Sequence, residues 1–277
     1  MNRLVTLLDT PDIGISRFDH PRDQPHQDPA EEVSNEFSIN RVERGSFDIQ
    51  VGRQRWILGP GYVFLCAPGL AYRCRHQELF PVDVCLAVTY GAREVREEGA
   101  EDDLTYLRGL AFTNPVLQPS NRLAYLFRPI ASNAYVTENR MEAETFATTL
   151  LAGIRVGIGS NRRLYSEHQL AWYAERIDAA RSLLDQDYAS QHSLASLAHR
   201  VSMSTFHFAR LFAELVGTPP HRYLLRVRLD ESARRLHQGA SVTEACFATG
   251  FHNLSYFIRA FQSRFGASPG NHRGSRI

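Results

Sequence analysis

Lysine is missing from this chain of 277 residues, and all 31 of its basic side chains are arginines. A GC-rich genome explains such a bias, and arginine also suits two-pronged contacts to guanine and phosphate. Cysteine is scarce. Cys66, Cys74, Cys85 and Cys246 show no Cys-x-x-Cys spacing and read as reduced thiols. No apolar run approaches the roughly 18 residues of a membrane span. Met1 to Asp9 is too short and too weakly basic for a signal peptide. These absences argue against membrane insertion and export, and a cytoplasmic location is expected. Net charge is almost lacking as well, at +1, but the balance is uneven. Residues 1–165 hold 18 basic and 21 acidic side chains, whereas residues 166–277 hold 13 and 9, with eight of the eleven histidines. A basic C-terminal third suits a polyanionic partner.

The length allows two domains with a core each, and 43% hydrophobic content is ordinary for a globular chain. Residues 10–33, rich in Pro, Asp, Gln and His, carry no evident hydrophobic period, and 1–35 read as an irregular leader. From residue 36 short β-like runs follow: Phe37–Arg44, Ser46–Val51, Gln54–Leu58, Tyr62–Cys66, Ala71–Arg75 and Val82–Tyr90. Strands at such spacing predict a barrel or sandwich over 36–110. Beyond Gly91 the pattern is largely helical, with an amphipathic stretch at Ser120–Ala131. In Glu138–Val156, Ala143, Ala147, Leu150 and Ile154 recur at heptad-like spacing. That stripe either covers the protein's own barrel or forms a homodimer seam, so 111–165 is assigned as a helical dimerisation and linker region. Gly157-Ile158-Gly159-Ser160-Asn161 is the best linker candidate, and a helix is expected from Ser166 to Tyr188.

Between Ser193 and His272 one pattern is written twice, about 49 residues apart. The first copy runs Ser193-Leu194-Ala195-Ser196-Leu197-Ala198, then Ser204 to Phe212, then Gly217-Thr218-Pro219-Pro220. The second runs Ser241-Val242-Thr243-Glu244-Ala245-Cys246, then Asn253 to Phe261, then Gly266-Ala267-Ser268-Pro269. Phe208, Arg210, Phe212, Gly217 and Pro220 align with Phe257, Arg259, Phe261, Gly266 and Pro269. Each copy reads as a short helix, a tight turn and a second amphipathic helix, so 166–277 is expected to be a DNA-binding domain with two helix-turn-helix units. Spacing puts Phe208, Phe212 and Leu215 inward, and Phe206, Ala209, Arg210 and Ala213 outward. The second helix is expected to bury Phe257, Phe261 and Phe265. It should present Ser255, Ile258, Arg259 and Gln262, with Asn253 and Tyr256 near its start. Ser202 or Ser204, and His252 or Asn253, sit where caps belong. Residues 219–238 read as one connecting helix of roughly 30 Å, near the 34 Å that separates successive major grooves on one face of the duplex.

These residues, in order and register over roughly 175–273, resemble the C-terminal region of the AraC/XylS transcription regulators. The likeness includes Leu197-Ala198, Phe208-Ala209-Arg210-Leu211-Phe212, Gly250-Phe251, Ser255-Tyr256-Phe257 and Ser268-Pro269, and departs at Ala245-Cys246, where Ile-Ala is usual. The resemblance implies promoter duplex DNA and RNA polymerase as partners and an activator role. It maps base readers onto Phe206, Ala209, Arg210, Ser255 and Arg259. The wider DNA-binding set adds Ser204, Thr205, His207, Asn253 and Tyr256. Arg210 and Arg259 have a salt-bridge role as their alternative. Arg222, Arg226 and Arg228 are either phosphate contacts or solvated charges.

Family members commonly carry an N-terminal cupin-like domain that binds an effector and dimerises, and the Gly59-Pro60-Gly61 and Pro68-Gly69 turns resemble those of cupin barrels. Metal-binding cupins present His-x-His on an early strand; Ser46–Val51 has no histidine, and Tyr72 stands where a further ligand belongs. No metal, cofactor or catalytic residue is therefore assigned. A cupin-type enzyme, or a plain ligand-binding protein with an interaction module, is the rival reading. Cys66, Tyr72, Cys74, His76 and Cys85 are the candidates for contact with a small-molecule, redox or metal effector, their alternative being core packing. Arg73 and Arg75 either line the cavity mouth for an anionic effector or sit in water. The expected fold is α+β and multidomain: an N-terminal cupin-like β-barrel with flanking helices, then an all-α domain. A homodimer off the membrane is the expected assembly.

Overall fold

The computed structural model describes residues 3–10, 12–19, 30–76, 82–91, 100–131, 140–156 and 164–272. The chain divides into two compact units, Met1–Tyr165 and Ser166–Ile277.

The first unit contains β1 (Arg3–Asp9), β2 (Ile13–Asp19), β3 (Glu32–Val33), β4 (Phe37–Arg44), β5 (Phe47–Val51), β6 (Gln54–Leu58), β7 (Val63–Cys66), β8 (Ala71–Arg75), β9 (Val84–Tyr90), α1 (Ala100–Thr113), β10 (Val116–Leu117), α2 (Asn121–Ala131) and α3 (Arg140–Val156). The strands form a six-stranded sheet ordered β1-β2-β9-β4-β7-β10 and a four-stranded sheet ordered β3-β8-β5-β6, with antiparallel pairings throughout. Alternation along β4 explains why the larger sheet is covered on both faces. Phe37 and Ile39 join Leu65, Leu86, Val88 and Tyr90 against Leu107, Phe127, Leu150 and Ile154 of the helices. From the opposite face, Val42 joins Phe64 and Cys66 in a second cluster with Phe47, Ile49 and Leu58 of the smaller sheet. The Tyr90 hydroxyl is buried but satisfied, donating to the Ala147 carbonyl at 2.8 Å. Gly153 lets α3 approach α2 closely, since a Cβ there would lie 2.6 Å from a Leu126 methyl.

Two expectations change, and one pair of alternatives is decided. The stretch read as an irregular leader supplies β1, β2 and β3; Ile13 and Ile15, alternating with Gly14 and Ser16, enter the core. The polar composition around 20–29, outside the described residues, hides that short period when the whole stretch is averaged. The β region does not stop at 110, because β10 pairs with β7. Of the two readings of the α3 stripe, cover for the protein's own sheet holds: Ala147, Leu150 and Ile154 are buried against it. The Ala143 side chain and the Gly157–Asn161 linker candidate lie outside the described residues.

The second unit is helical throughout: α4 (Glu167–Gln186), α5 (Leu194–Arg200), α6 (Thr205–Val216), α7 (Pro220–His237), α8 (Val242–Ala248), α9 (Leu254–Phe265) and α10 (Pro269–His272). Among the described residues no helix is long and apolar enough to cross a membrane.

Candidate nucleic-acid interface

The two helix pairs are built by the same local devices. Ser193 caps α5 and exchanges hydrogen bonds with Ser196, and Ser241 caps α8 and does the same with Glu244. After α5 the Ser202 and Met203 amides reach back to the His199 and Ala198 carbonyls. After α8 the Gly250 and Phe251 amides reach back to Phe247 and Cys246 in the same way. Both turns pass through the left-handed region, at Ser202 (φ 55°) and Gly250 (φ 83°). The sequence repeat did not reveal this shared conformation, because a serine stands in one copy and a glycine in the other. Ser204 then caps α6 by accepting from the His207 amide, and Asn253 caps α9 by accepting from the Tyr256 amide. Gly217 and Gly266, both left-handed, end the two helices.

Aromatic packing fixes which faces remain outside. Phe208 and Phe212 stack at 5.7 Å, and Phe212 meets Tyr223 of α7 at 5.6 Å. In the second pair Phe257 meets Phe251 at 5.0 Å and Phe261 at 5.6 Å. Their burial leaves Thr205, Phe206 and Arg210 exposed on α6, with Ala209 and Ala213 partly so; Phe206 is 81% exposed. On α9, Ser255, Tyr256, Arg259 and Gln262 are exposed. Among the described residues, the ion pairs of this unit include Arg234 and Arg235 with Glu231, and Arg264 with Asp230, while none engages Arg210 or Arg259. The salt-bridge alternative for those two arginines thus has no partner among the described residues.

Other assignments move. His207 faces Tyr173 of α4 at 5.4 Å between ring centres and is partly buried, so it packs rather than reads. Ser204 and Asn253 use a side-chain oxygen as a cap, which makes them positioners of the helix start. Arg222 and Arg226 are exposed on α7. Arg228 is neither a solvated charge nor free for phosphate: its Nε donates to the Tyr188 carbonyl at 2.7 Å and an Nη to the Ser190 carbonyl at 2.8 Å. Burial lowers the pKa of this guanidinium from its ordinary value. Helix α7 begins one residue later than expected, with Pro219 as cap and Pro220 as first residue. Its 18 residues give about 27 Å.

In the first unit the five effector candidates do meet. Cys66 belongs to the apolar cluster between the sheets, against which Tyr72, Cys74 and Cys85 pack, and His76 lies 5.6 Å from Phe47 of the same cluster. Two of the thiols are chemically quiet. Burial pushes the Cys66 thiol up to about 12, and burial followed by the nearby Asp83 charge raises Cys85 too. Such thiols stay protonated and are poor nucleophiles and ligands. The Tyr72 hydroxyl donates to Glu32 at 2.8 Å. His76 Nε2 lies 3.1 Å from an Asp83 oxygen, both side chains nearly inaccessible. Among the described residues no cluster of three or more His, Cys, Asp or Glu is placed to hold a metal. Arg73 is exposed beside Glu31 at 3.5 Å, and Arg75 lies opposite Asp48 on the face away from Cys74. Neither lines the interior.

Two capped, tandem helix pairs that bury Phe208, Phe212, Phe257 and Phe261 and expose Arg210 and Arg259 define a helix-turn-helix DNA-binding protein. A model described as a helix-turn-helix domain matches residues 197–275. The C-terminal unit is similar to regulators of the AraC/XylS family. Over 83 residues the chain is 36% identical to the HTH-type transcriptional regulator Rv1931c of Mycobacterium tuberculosis, covering 30% of this chain and 32% of that one. Over 206 residues it is 26% identical to the HTH-type transcriptional activator RhaS of Pectobacterium carotovorum, covering 74% and 68%. The matches to Rv1931c and to the CdhR regulator of Pseudomonas aeruginosa span only 32% and 23% of those relatives' lengths. Among solved structures, a probable AraC family transcriptional regulator from Rhodopseudomonas palustris is 24% identical over 36% of this chain and 94% of its own, with a TM-score of 0.34. Fatty-acid-bound ToxT from Vibrio cholerae is 12% identical over 96% of each chain, with a TM-score of 0.35.

Proposed function

We propose that the chain is a sequence-specific transcriptional regulator, acting as an activator in the cytoplasm. In this reading α6 and α9 enter adjacent major grooves of promoter DNA, and the protein works with RNA polymerase. The observation that carries it is the matched exposure of Arg210 and Arg259 on two side-chain-capped helices, neither in an ion pair among the described residues. Arginine reads guanine O6 and N7 bidentately, and each such contact contributes about 1–3 kcal/mol of discrimination. Arg222 and Arg226 supply phosphate contacts, and Thr205, Phe206, Ala209, Ser255 and Tyr256 complete the reading faces. The experiment is duplex binding by the double variant Arg210→Ala/Arg259→Ala, with circular dichroism to show that it folds. Specific affinity should fall at least a hundredfold; unchanged affinity in a folded variant would sink the assignment.

The first unit we assign as a cupin-like sensor without catalytic activity. Its effector sits against Tyr72, Cys74 and the cluster between the sheets, and binds by shape and apolar contact. The raised Cys66 and Cys85 thiols favour that role over thiol chemistry. The homodimer expected from the resemblance uses a surface other than the buried α3 stripe.

A further inference from the structure

The loop joining α4 to α5 touches the second helix pair as well as leading into the first. Arg228, midway along α7, grips its Tyr188 and Ser190 carbonyls through two donors of one guanidinium. Arg235, two turns further along the same face, donates to the Tyr188 hydroxyl at 3.3 Å. Gln191 hydrogen-bonds the ring of His252, the residue before the Asn253 cap of α9. Between these contacts Ala189 lies directly on the turn of the second pair. A Cβ on Gly250 would stand 2.5 Å from the Ala189 carbonyl oxygen and 2.9 Å from its Cα. The first turn offers a control, since Ser202 keeps a side chain at φ 55° in the equivalent position and is exposed. Left-handed backbone alone therefore does not demand glycine here; the seated loop does.

The contacts close a ring. From α6 the chain runs through α7 to α8 and α9, and the 187–192 loop returns from the α9 cap to the start of α5. We infer that Arg228 and Gly250 are positioning residues that lock this ring and thereby fix the spacing at which α6 and α9 engage DNA. A hinge at α7 alone would let the two readers turn independently and accept variable spacing. The closed ring makes spacing itself a recognised feature. This inference rests on the two-groove reading proposed above.

The test uses the full chain and a duplex selected by it from random sequence. Affinity is measured on three probes: the selected duplex, one carrying a single half-site, and one with a base pair inserted between the half-sites. Arg228→Lys keeps the charge a phosphate contact needs, but loses the fork that spans two carbonyls. It should bind the single half-site as wild type does and lose roughly tenfold on the selected duplex through lower effective concentration. It should also discriminate less against the inserted base pair. Gly250→Ala, confirmed folded by circular dichroism, should show the same pattern. Wild-type behaviour of Arg228→Lys on all three probes overturns the inference, and so does an equal loss on half-site and intact duplex. If wild type selects no duplex with two contacts, the two-groove reading itself fails, and this inference falls with it.

Discussion

The two helix pairs of the C-terminal unit share a skeleton and differ in what they show to the outside. Caps, turn hydrogen bonds, aromatic cores and glycine stops repeat from one to the other. The exposed faces do not. The first offers Phe206 beside small Ala209 and Ala213, and the second offers Ser255, Tyr256 and Gln262. Only the arginine, Arg210 or Arg259, is common to both. In the proposed reading, geometry is thus set by residues that never meet DNA, and selectivity is left to a few that do. Such a division would let one scaffold serve twice within a chain and read two unlike sequences.

If the skeletons are equivalent, their cores should fail equally. Phe208→Ala and Phe257→Ala each empty a fully buried ring site and should each cost about 3–5 kcal/mol in chemical denaturation. A much smaller cost at one of them would break the equivalence. The turns should fail unequally. Gly250→Ala adds a Cβ against the Ala189 backbone at positive φ and should cost about 1–3 kcal/mol. Ser202→Ala leaves the backbone as it is and should stay within about 0.5 kcal/mol. On DNA, Phe206→Ala should relax preference at one position of the first half-site only, by about 1 kcal/mol, through loss of apolar contact with a thymine methyl. Competition among single-base operator variants would read this out, and a loss spread over both half-sites would contradict it.

The smallest effect is electrostatic and belongs to the connector. Hydrogen bonding from Arg234, ahead of other contributions, holds the Glu231 carboxyl below its usual range. A depressed carboxyl stabilises the fold above its unfolded pKa, about 4.3, and that contribution disappears as pH falls through the lower folded value. Glu231→Gln should therefore reduce stability at pH 7 by a few tenths of a kcal/mol, given the exposed setting, and flatten the acid limb of a Tm-against-pH curve. An unaltered acid limb would show that the pair is worth nothing.

The sequence was legible where local chemistry decides structure. The repeat, the caps at Ser204 and Asn253, and strands such as Phe37–Arg44 and Ala71–Arg75 lie where period and turn residues place them. It was opaque where distant segments decide. The short alternation of Ile13 and Ile15 is lost in a polar stretch, and their strand exists because β1 and β9 lie alongside. Arg228 looks like any connector arginine until the Tyr188 and Ser190 carbonyls, some forty residues back, are brought to it. His207 sits at a reading position by number but turns onto Tyr173, since α4 packs there. The Cys66, Cys74 and Cys85 grouping was visible in spacing, yet the raised thiols of Cys66 and Cys85 follow from burial, which spacing does not carry.

Guanine N7 protection in the major groove tests the central claim most directly, with the full chain bound to a duplex it selects. Two protected clusters about one helical turn apart are expected, with Arg210→Ala erasing one and Arg259→Ala the other. A single cluster, or two clusters that both vanish with either variant in a folded protein, would contradict the account.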